Sequence, residues 1–301
     1  MDQTVSVTLW SVNMGQTLRS RQEWIEQVDR VATEAVAQGS DVLVLPEYVS
    51  ELWLTYCGAG LAPTQEVAAM AKEGEAMHAP MREIAERHKI ALLAGSWPAA
   101  ANGSFCNRAH LFVPGRKYTI VQDKMCLTPG EKNPDGWSLG VGKEFNVFEW
   151  NGLKCAMVIC LDIEMPALST LIAREAPDID LIFVPSMTEK LSGYHRVFGC
   201  AKARGVELMT CLCVVGCVGA TPLGVPRPNV SGGAVYLPCE EAFGFTGTLA
   251  QSTPCHQADD HGPRLHVSDI PVGAVRNQRA RGTGEVWPGA WNAAGIAVKR
   301  V

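Results

Sequence analysis

Residues 155–166 read Cys155-Ala156-Met157-Val158-Ile159-Cys160-Leu161-Asp162-Ile163-Glu164-Met165-Pro166. An apolar, strand-like run ends on a cysteine, and a short turn-compatible stretch leads to a proline suited to the first turn of a helix. A thiol at such a strand-to-helix corner is held rigidly at the edge of a sheet, where a nucleophile is useful. Taken alone, Cys160 reads more readily as a buried structural cysteine, because the chain carries 11 cysteines.

Two further segments change that balance. Leu43-Val44-Leu45-Pro46-Glu47-Tyr48 ends another apolar strand on a carboxylate. Asp123-Lys124-Met125-Cys126-Leu127-Thr128-Pro129-Gly130-Glu131 sets a lysine and a second carboxylate beyond a third strand. Individually, Glu47 reads as a carboxylate at a helix start, Lys124 as a solvated lysine and Glu131 as a loop carboxylate.

In this order the three segments resemble the nitrilase superfamily of carbon–nitrogen hydrolases, and most closely its amidase-like members. Pro185-Ser186-Met187-Thr188, Gly193-Tyr194-His195-Arg196-Val197 and Ala201-Lys202-Ala203-Arg204-Gly205-Val206-Glu207 look like later landmarks of the same family. The resemblance runs from the strand near Val5 to the strand near Val267. It implies an α/β fold, the four-layer α-β-β-α sandwich, with a carbon–nitrogen hydrolase domain over residues 1–274. It also implies a catalytic set of Glu47, Lys124 and Cys160 with Glu131 as second glutamate. Cys160 attacks the carbonyl, Glu47 moves the proton, and Lys124 stabilises the oxyanion with the N–H of Leu161. A cation at Lys124 is also expected to favour the ionised thiol. Glu131 is expected to hold Lys124 or to position substrate. No histidine is needed, so His195 stays outside the set. Tyr48, Trp53, Trp137, Leu161, Met187 and Thr188 are the expected pocket residues.

The chain departs from the family in two places. Leu161 follows the nucleophile where many members carry an aromatic; its backbone N–H survives the change. Glu164 stands where members that recognise a substrate carboxylate commonly place arginine. If Glu164 faces the pocket, it repels anionic amides and favours neutral or cationic ones; the alternative is that it turns away and caps the following helix. Three readings of function remain: an amidase acting on a small amide, a nitrilase, and a non-catalytic scaffold on the same fold. The motifs do not separate the first two, and the intact catalytic set argues against the third.

Composition narrows the classes. Hydrophobic residues make up 47% of 301, enough for a sizeable core. A net charge of −5 suggests no nucleic-acid footprint and no anionic membrane partner. No run approaches the ~20 apolar residues of a membrane span, and the start lacks the pattern of a signal peptide. The membrane-spanning lipoprotein acyltransferases of the superfamily are therefore excluded. The cysteines show no Cys-x-x-Cys, and Cys211-Leu212-Cys213 reads as buried strand, so neither metal nor cofactor is expected. Cysteine usage fits a reducing cytoplasm.

Helices are expected over 17–37, 65–72, 77–88, 166–175 and 197–206. Strands are expected over 4–12, 41–45, 90–95, 109–113, 145–150, 153–159, 181–185 and 208–218. Asn151-Gly152 reads as a hairpin turn. Residues 219–228 and 251–263 read as loops. The strings around Asp41-Val42-Leu43-Val44-Leu45-Pro46 and Asp180-Leu181-Ile182-Phe183-Val184-Pro185 echo one another, too weakly to argue duplication. From Pro271 on, no periodicity is evident, and residues 275–301 form a tail with Trp287 and Trp291. The tail is either an oligomer contact, in keeping with the family's habit of forming homo-oligomers, or packed on its own domain.

Overall fold

Along Val42-Leu43-Val44-Leu45, alternate side chains enter two different cores. Val42 and Val44 join one apolar cluster, Leu43 and Leu45 another. A strand covered on both faces has no polar side to show, which is why this run reads as continuously apolar. The computed structural model describes residues 3–58, 60–101, 103–223, 226–285, 296–297 and 299–300.

The first half contains β1 (Val5–Trp10), α1 (Arg21–Ala37), β2 (Val42–Val44), α2 (Leu54–Cys57), α3 (Pro63–His88), β3 (Ala91–Ala101), β4 (Ser104–Phe112), β5 (Ile120–Asp123) and the short α4 (Pro129–Lys132). The second contains β6 (Val147–Trp150), β7 (Leu153–Met157), α5 (Pro166–Glu175), β8 (Leu181–Ser186), α6 (Leu191–Leu208), β9 (Cys211–Gly216), β10 (Gly219–Thr221), β11 (Arg227–Asn229), β12 (Gly233–Tyr236), β13 (Thr248–Gln251), β14 (Arg264–Ile270) and α7 (Val272–Arg281).

Two six-stranded sheets form, in the orders β14-β1-β2-β3-β4-β5 and β13-β12-β9-β8-β7-β6. They meet face to face, with β1 packed on β9 and β12. Helices α1 and α3 cover the outer face of the first sheet, and α5 and α6 that of the second. This is the four-layer α-β-β-α sandwich expected from the sequence.

The echo between the halves extends to the whole of each sheet. In the first, β1, β2 and β3 run parallel, with β14 antiparallel on one side and β4 and β5 antiparallel on the other. In the second, β7, β8 and β9 are the parallel trio, flanked by antiparallel β6 on one side and β12 and β13 on the other. The Pro-polar ends of β2 and β8 therefore arrive at matching places, and the Glu47 N–H donates to the Ser186 carbonyl at 3.3 Å.

Three sequence expectations change. The helices expected over 65–72 and 77–88 are one 26-residue helix, α3, which passes through Gly74 and Pro80. Gly74 interrupts the apolar pattern because Trp97 presses on it. A Cβ there would lie 2.3 Å from the indole Cδ1. Gly74→Ala is therefore expected to destabilise the fold by about 1–3 kcal/mol, despite alanine's better helix propensity. Equilibrium urea denaturation measures this, and a stabilised variant contradicts it. Residues 219–228, expected as loop, hold β10 paired with the start of β11. Past Pro271 the chain forms α7, whose sequence shows little amphipathicity because polar bonds anchor it as much as apolar contacts do. Val272 and Val275 are buried, and Arg279 donates to Asp180 and to the carbonyls of Asp178, Ile179 and Met209. This helix runs across residue 274. Trp287 and Trp291 lie outside the described residues.

Candidate active site

Cys160 sits where β7 gives way to a turn of 3-10 helix over Cys160–Glu164, and α5 begins at Pro166. Its φ is 47°, in the left-handed region that a branched or bulky residue avoids. Backbone held in this way aims a side chain, and such positions gather at functional sites. The Sγ approaches the Met187 carbonyl at 3.5 Å.

Glu47 follows β2, Lys124 follows β5 and Glu131 lies in α4. The fold brings all three beside Cys160, as the resemblance implied. Lys124 Nζ donates to Glu47 Oε1 at 2.7 Å and to Glu131 at 3.0 Å (Oε1) and 2.9 Å (Oε2). Lys124 and Glu47 are each 1% exposed. Glu131 is fixed further by the Tyr48 hydroxyl at 2.6 Å and by the Thr128 N–H at 2.8 Å. The Thr128 hydroxyl in turn accepts the Glu131 N–H, a reciprocal cap that explains the Thr-Pro-Gly-Glu sequence.

Burial sets the electrostatics. It opposes the charge on Lys124, but Glu47 and Glu131 outweigh it and raise the lysine's pKa, so the ammonium is permanent. Burial, aided by the negative charge of Glu131, raises Glu47 in spite of Lys124. Burial works against the Glu131 charge too, yet Lys124 and the hydrogen bonds hold its pKa below the usual value. The Cys160 thiol is pushed well above its ordinary range by burial and then by Glu47, against the pull of Lys124. Lys124 does pull the thiol toward ionisation, as expected, but burial and Glu47 outweigh it.

Two positioning contacts escaped the sequence reading. Asn107, on β4, donates from Nδ2 to Glu47 Oε1 at 2.8 Å and to Glu131 Oε1 at 3.3 Å. Asp162, two residues past Cys160, accepts the N–H groups of Met125 at 3.1 Å and Cys126 at 2.6 Å, clamping the lysine segment to the nucleophile turn. Its burial raises its pKa to about 7. An asparagine inside a strand and an aspartate in a turn carry no motif of their own; only a buried polar position in an otherwise apolar context could have flagged them.

The expected pocket residues divide. Tyr48 and Trp137 meet edge to face at 4.8 Å, and with Leu127, Leu139 and Met187 they form a small apolar cluster beside Glu131. Thr188 is buried and donates to the Val230 carbonyl at 2.7 Å. Leu161 is half-buried on the nucleophile turn. Trp53 lies instead in the outer core under α1 and α3, tilted against Trp97, because the turn carrying it packs on α3. Glu164 is engaged by Arg196 of α6 at 3.0 Å, and α5 starts without any side-chain cap. The alternative in which Glu164 caps α5 is thus not the one adopted. Behind Trp137, Arg227 is held by Glu66 at 2.8 Å and Glu51 at 3.1 Å. Burial raises Glu51 to about 7.

Among the described residues, no group of three His, Cys, Asp or Glu side chains could hold a metal ion. Among them too, no helix is long and apolar enough to cross a membrane.

The chain is similar to the probable hydrolase YhcX of Bacillus subtilis, 27% identical over 266 residues, which are 88% of this chain and 49% of that protein. The chain thus spans about half the length of that relative. It is similar to the 2-oxoglutaramate amidase of Bacillus subtilis, 24% identical over 189 residues, or 63% of this chain and 68% of that one. An amidase from Nesterenkonia sp. shares the fold, with a TM-score of 0.67 at 21% identity, covering 94% of this chain and 96% of that one. The family model for carbon–nitrogen hydrolases matches residues 9–236, and this chain belongs to that family.

Proposed function

We propose that the protein is an amidase that hydrolyses the C–N bond of a small amide through a cysteine thioester. The observation that carries this reading is the single buried cluster in which Lys124 bridges Glu47 and Glu131 next to Cys160. The Cys160 sulfur attacks the carbonyl carbon while Glu47 takes the thiol proton. A thiol with a raised pKa beside a carboxylate with a raised pKa suits transfer during attack rather than a standing thiolate. Lys124 and the Leu161 N–H receive the charge on the carbonyl oxygen. Glu47 passes the proton to the nitrogen, the C–N bond breaks, and ammonia or an amine leaves. Water then gives its proton to Glu47 and attacks the thioester. The acid departs and the proton returns to sulfur. Glu131 keeps Lys124 in place throughout.

The test is ammonia release from a panel of small amides and nitriles. Turnover of amides supports the reading. Turnover confined to nitriles moves the assignment to nitrilase, and no covalent adduct at Cys160 with a reactive acyl probe leaves a scaffold.

The substrate is a neutral or cationic amide. Glu164 occupies Arg196, so that guanidinium is not offered to a substrate carboxylate. Glu164→Arg should raise kcat/KM for an anionic amide such as 2-oxoglutaramate by about tenfold, the effect of one added charge pair of ~1.4 kcal/mol at a partly exposed site. Unchanged discrimination between anionic and neutral amides removes Glu164 from substrate selection.

A further inference from the structure

Asn107 is fully buried, and its two ends are treated differently. Nδ2 donates to Glu47 Oε1 and Glu131 Oε1, and the backbone carbonyl accepts the Lys124 N–H at 2.8 Å. Oδ1 is buried with no partner among the described residues. Exchanging the two ends would set an oxygen against two carboxylates, so chemistry fixes the orientation. An unpaired buried acceptor is unfavourable, and an apolar side chain of the same shape would avoid it. Packing therefore does not explain an asparagine here; its donor end does.

Lys124 and Asn107 both bind Oε1 of Glu47, and the Cys160 thiol is a further hydrogen-bonding neighbour of the same carboxylate. We propose that Asn107 is a positioning residue that holds Glu47 ionised with Oε2 turned toward the Cys160 thiol. It acts through Glu47 and touches neither thiol nor substrate. The proposal rests on Glu47 being the base.

The charged and titratable groups around Glu47 come from every element that meets it. They are Tyr48 beside it, Lys124 after β5, Glu131 in α4, Cys160 and Asp162 on the nucleophile turn, and Cys217 after β9. Burial and Glu131 favour the protonated carboxyl, and Lys124, whose ammonium is shared with Glu131, favours the ionised one. An amide N–H stabilises the ionised form more than the protonated one, so its loss raises the pKa of Glu47.

The experiment measures two pH profiles for wild type, Asn107→Leu and Asn107→Ala: kcat/KM for an amide, and the rate at which iodoacetamide alkylates Cys160, read by mass. Leucine keeps the branched shape; alanine admits water if leucine does not fold. The expected result is an acid limb moved up by about one pH unit in both profiles, the worth of one hydrogen bond to a charged group. A folded variant whose limb stays at the wild-type pH overturns the proposal, even if its activity falls uniformly. A wild type that is alkylated at Cys160 but hydrolyses no amide sinks the amidase reading, and the alkylation limb still decides the role of Asn107.

Discussion

Alanine at position 160 is expected to lower amide hydrolysis by roughly 10⁴-fold or more, to the rate of buffer, with the fold intact. The two halves of that expectation have separate causes. The sulfur supplies the covalent route, and no other thiol can replace it. Cys217 donates to the Glu47 carbonyl from inside the core, and Cys126 sits on the lysine segment. The fold survives because the thiol makes only weak contacts, to the Met187 carbonyl and to Glu47, and alanine accepts the same left-handed backbone at similar strain. A thermal midpoint within a few degrees of wild type, together with lost turnover, assigns the loss to chemistry. Electrospray mass spectrometry of wild type quenched during turnover should show the added mass of an acyl group, and the variant should show none. Residual hydrolysis in the variant at even a hundredth of the wild-type rate would sink the cysteine mechanism.

The nucleophile corner was legible in the sequence because strand, cysteine and helix-opening proline lie within 12 consecutive residues. The strands carrying Glu47 and Cys160 were legible for a related reason: buried parallel strands demand unbroken apolar runs. The breaks in the reading occur where tertiary contact overrides local pattern. Gly74 looked like a gap between helices because the reason for it, Trp97, lies on a strand 23 residues away. Trp53 looked like a pocket aromatic because it follows Glu47 closely, yet the 3-10 turn over Val49–Trp53 swings it into the opposite layer. Helix α7 was invisible because its anchor, Asp180, is nearly a hundred residues upstream and pairs with Arg276 and Arg279 by charge. The second glutamate could be proposed from its motif, but the sharing of one ammonium between two carboxylates could not. That arrangement depends on β5 and α4 converging with β2, which no local pattern encodes.

Lys124→Met is expected to remove activity and stability together, and the stability loss should depend on pH. Methionine fills the space of the lysine stem but leaves Glu47 and Glu131, 1% and 4% exposed, facing each other without a cation. Breaking one partner out of a buried ion cluster costs about 3–5 kcal/mol when the remaining charges stay. The carboxyls escape part of this by keeping a proton. Their pKa in the folded variant then lies above the value of about 4.3 in the unfolded chain. A carboxyl raised in this way favours the fold below its unfolded pKa, and the advantage is lost as pH climbs through the folded pKa. The wild type differs at Glu131: Glu47 is already raised by burial, but Lys124 holds Glu131 below the ordinary value, and that contribution is present above the unfolded pKa and lost on acidification. The gap between variant and wild type should therefore be small at pH 5 and reach its full size by pH 8, read from urea midpoints at the two values. Equal gaps at both would mean that the cation does not hold Glu131 ionised. Adding Glu131→Gln to the methionine variant removes one of the opposed charges, and should restore about 2 kcal/mol at pH 8. It should restore no activity, since the positive charge that meets the carbonyl oxygen is still missing, a loss of ~10³-fold or more. Stability and catalysis would then part company in the double variant, as expected if one buried ammonium serves both.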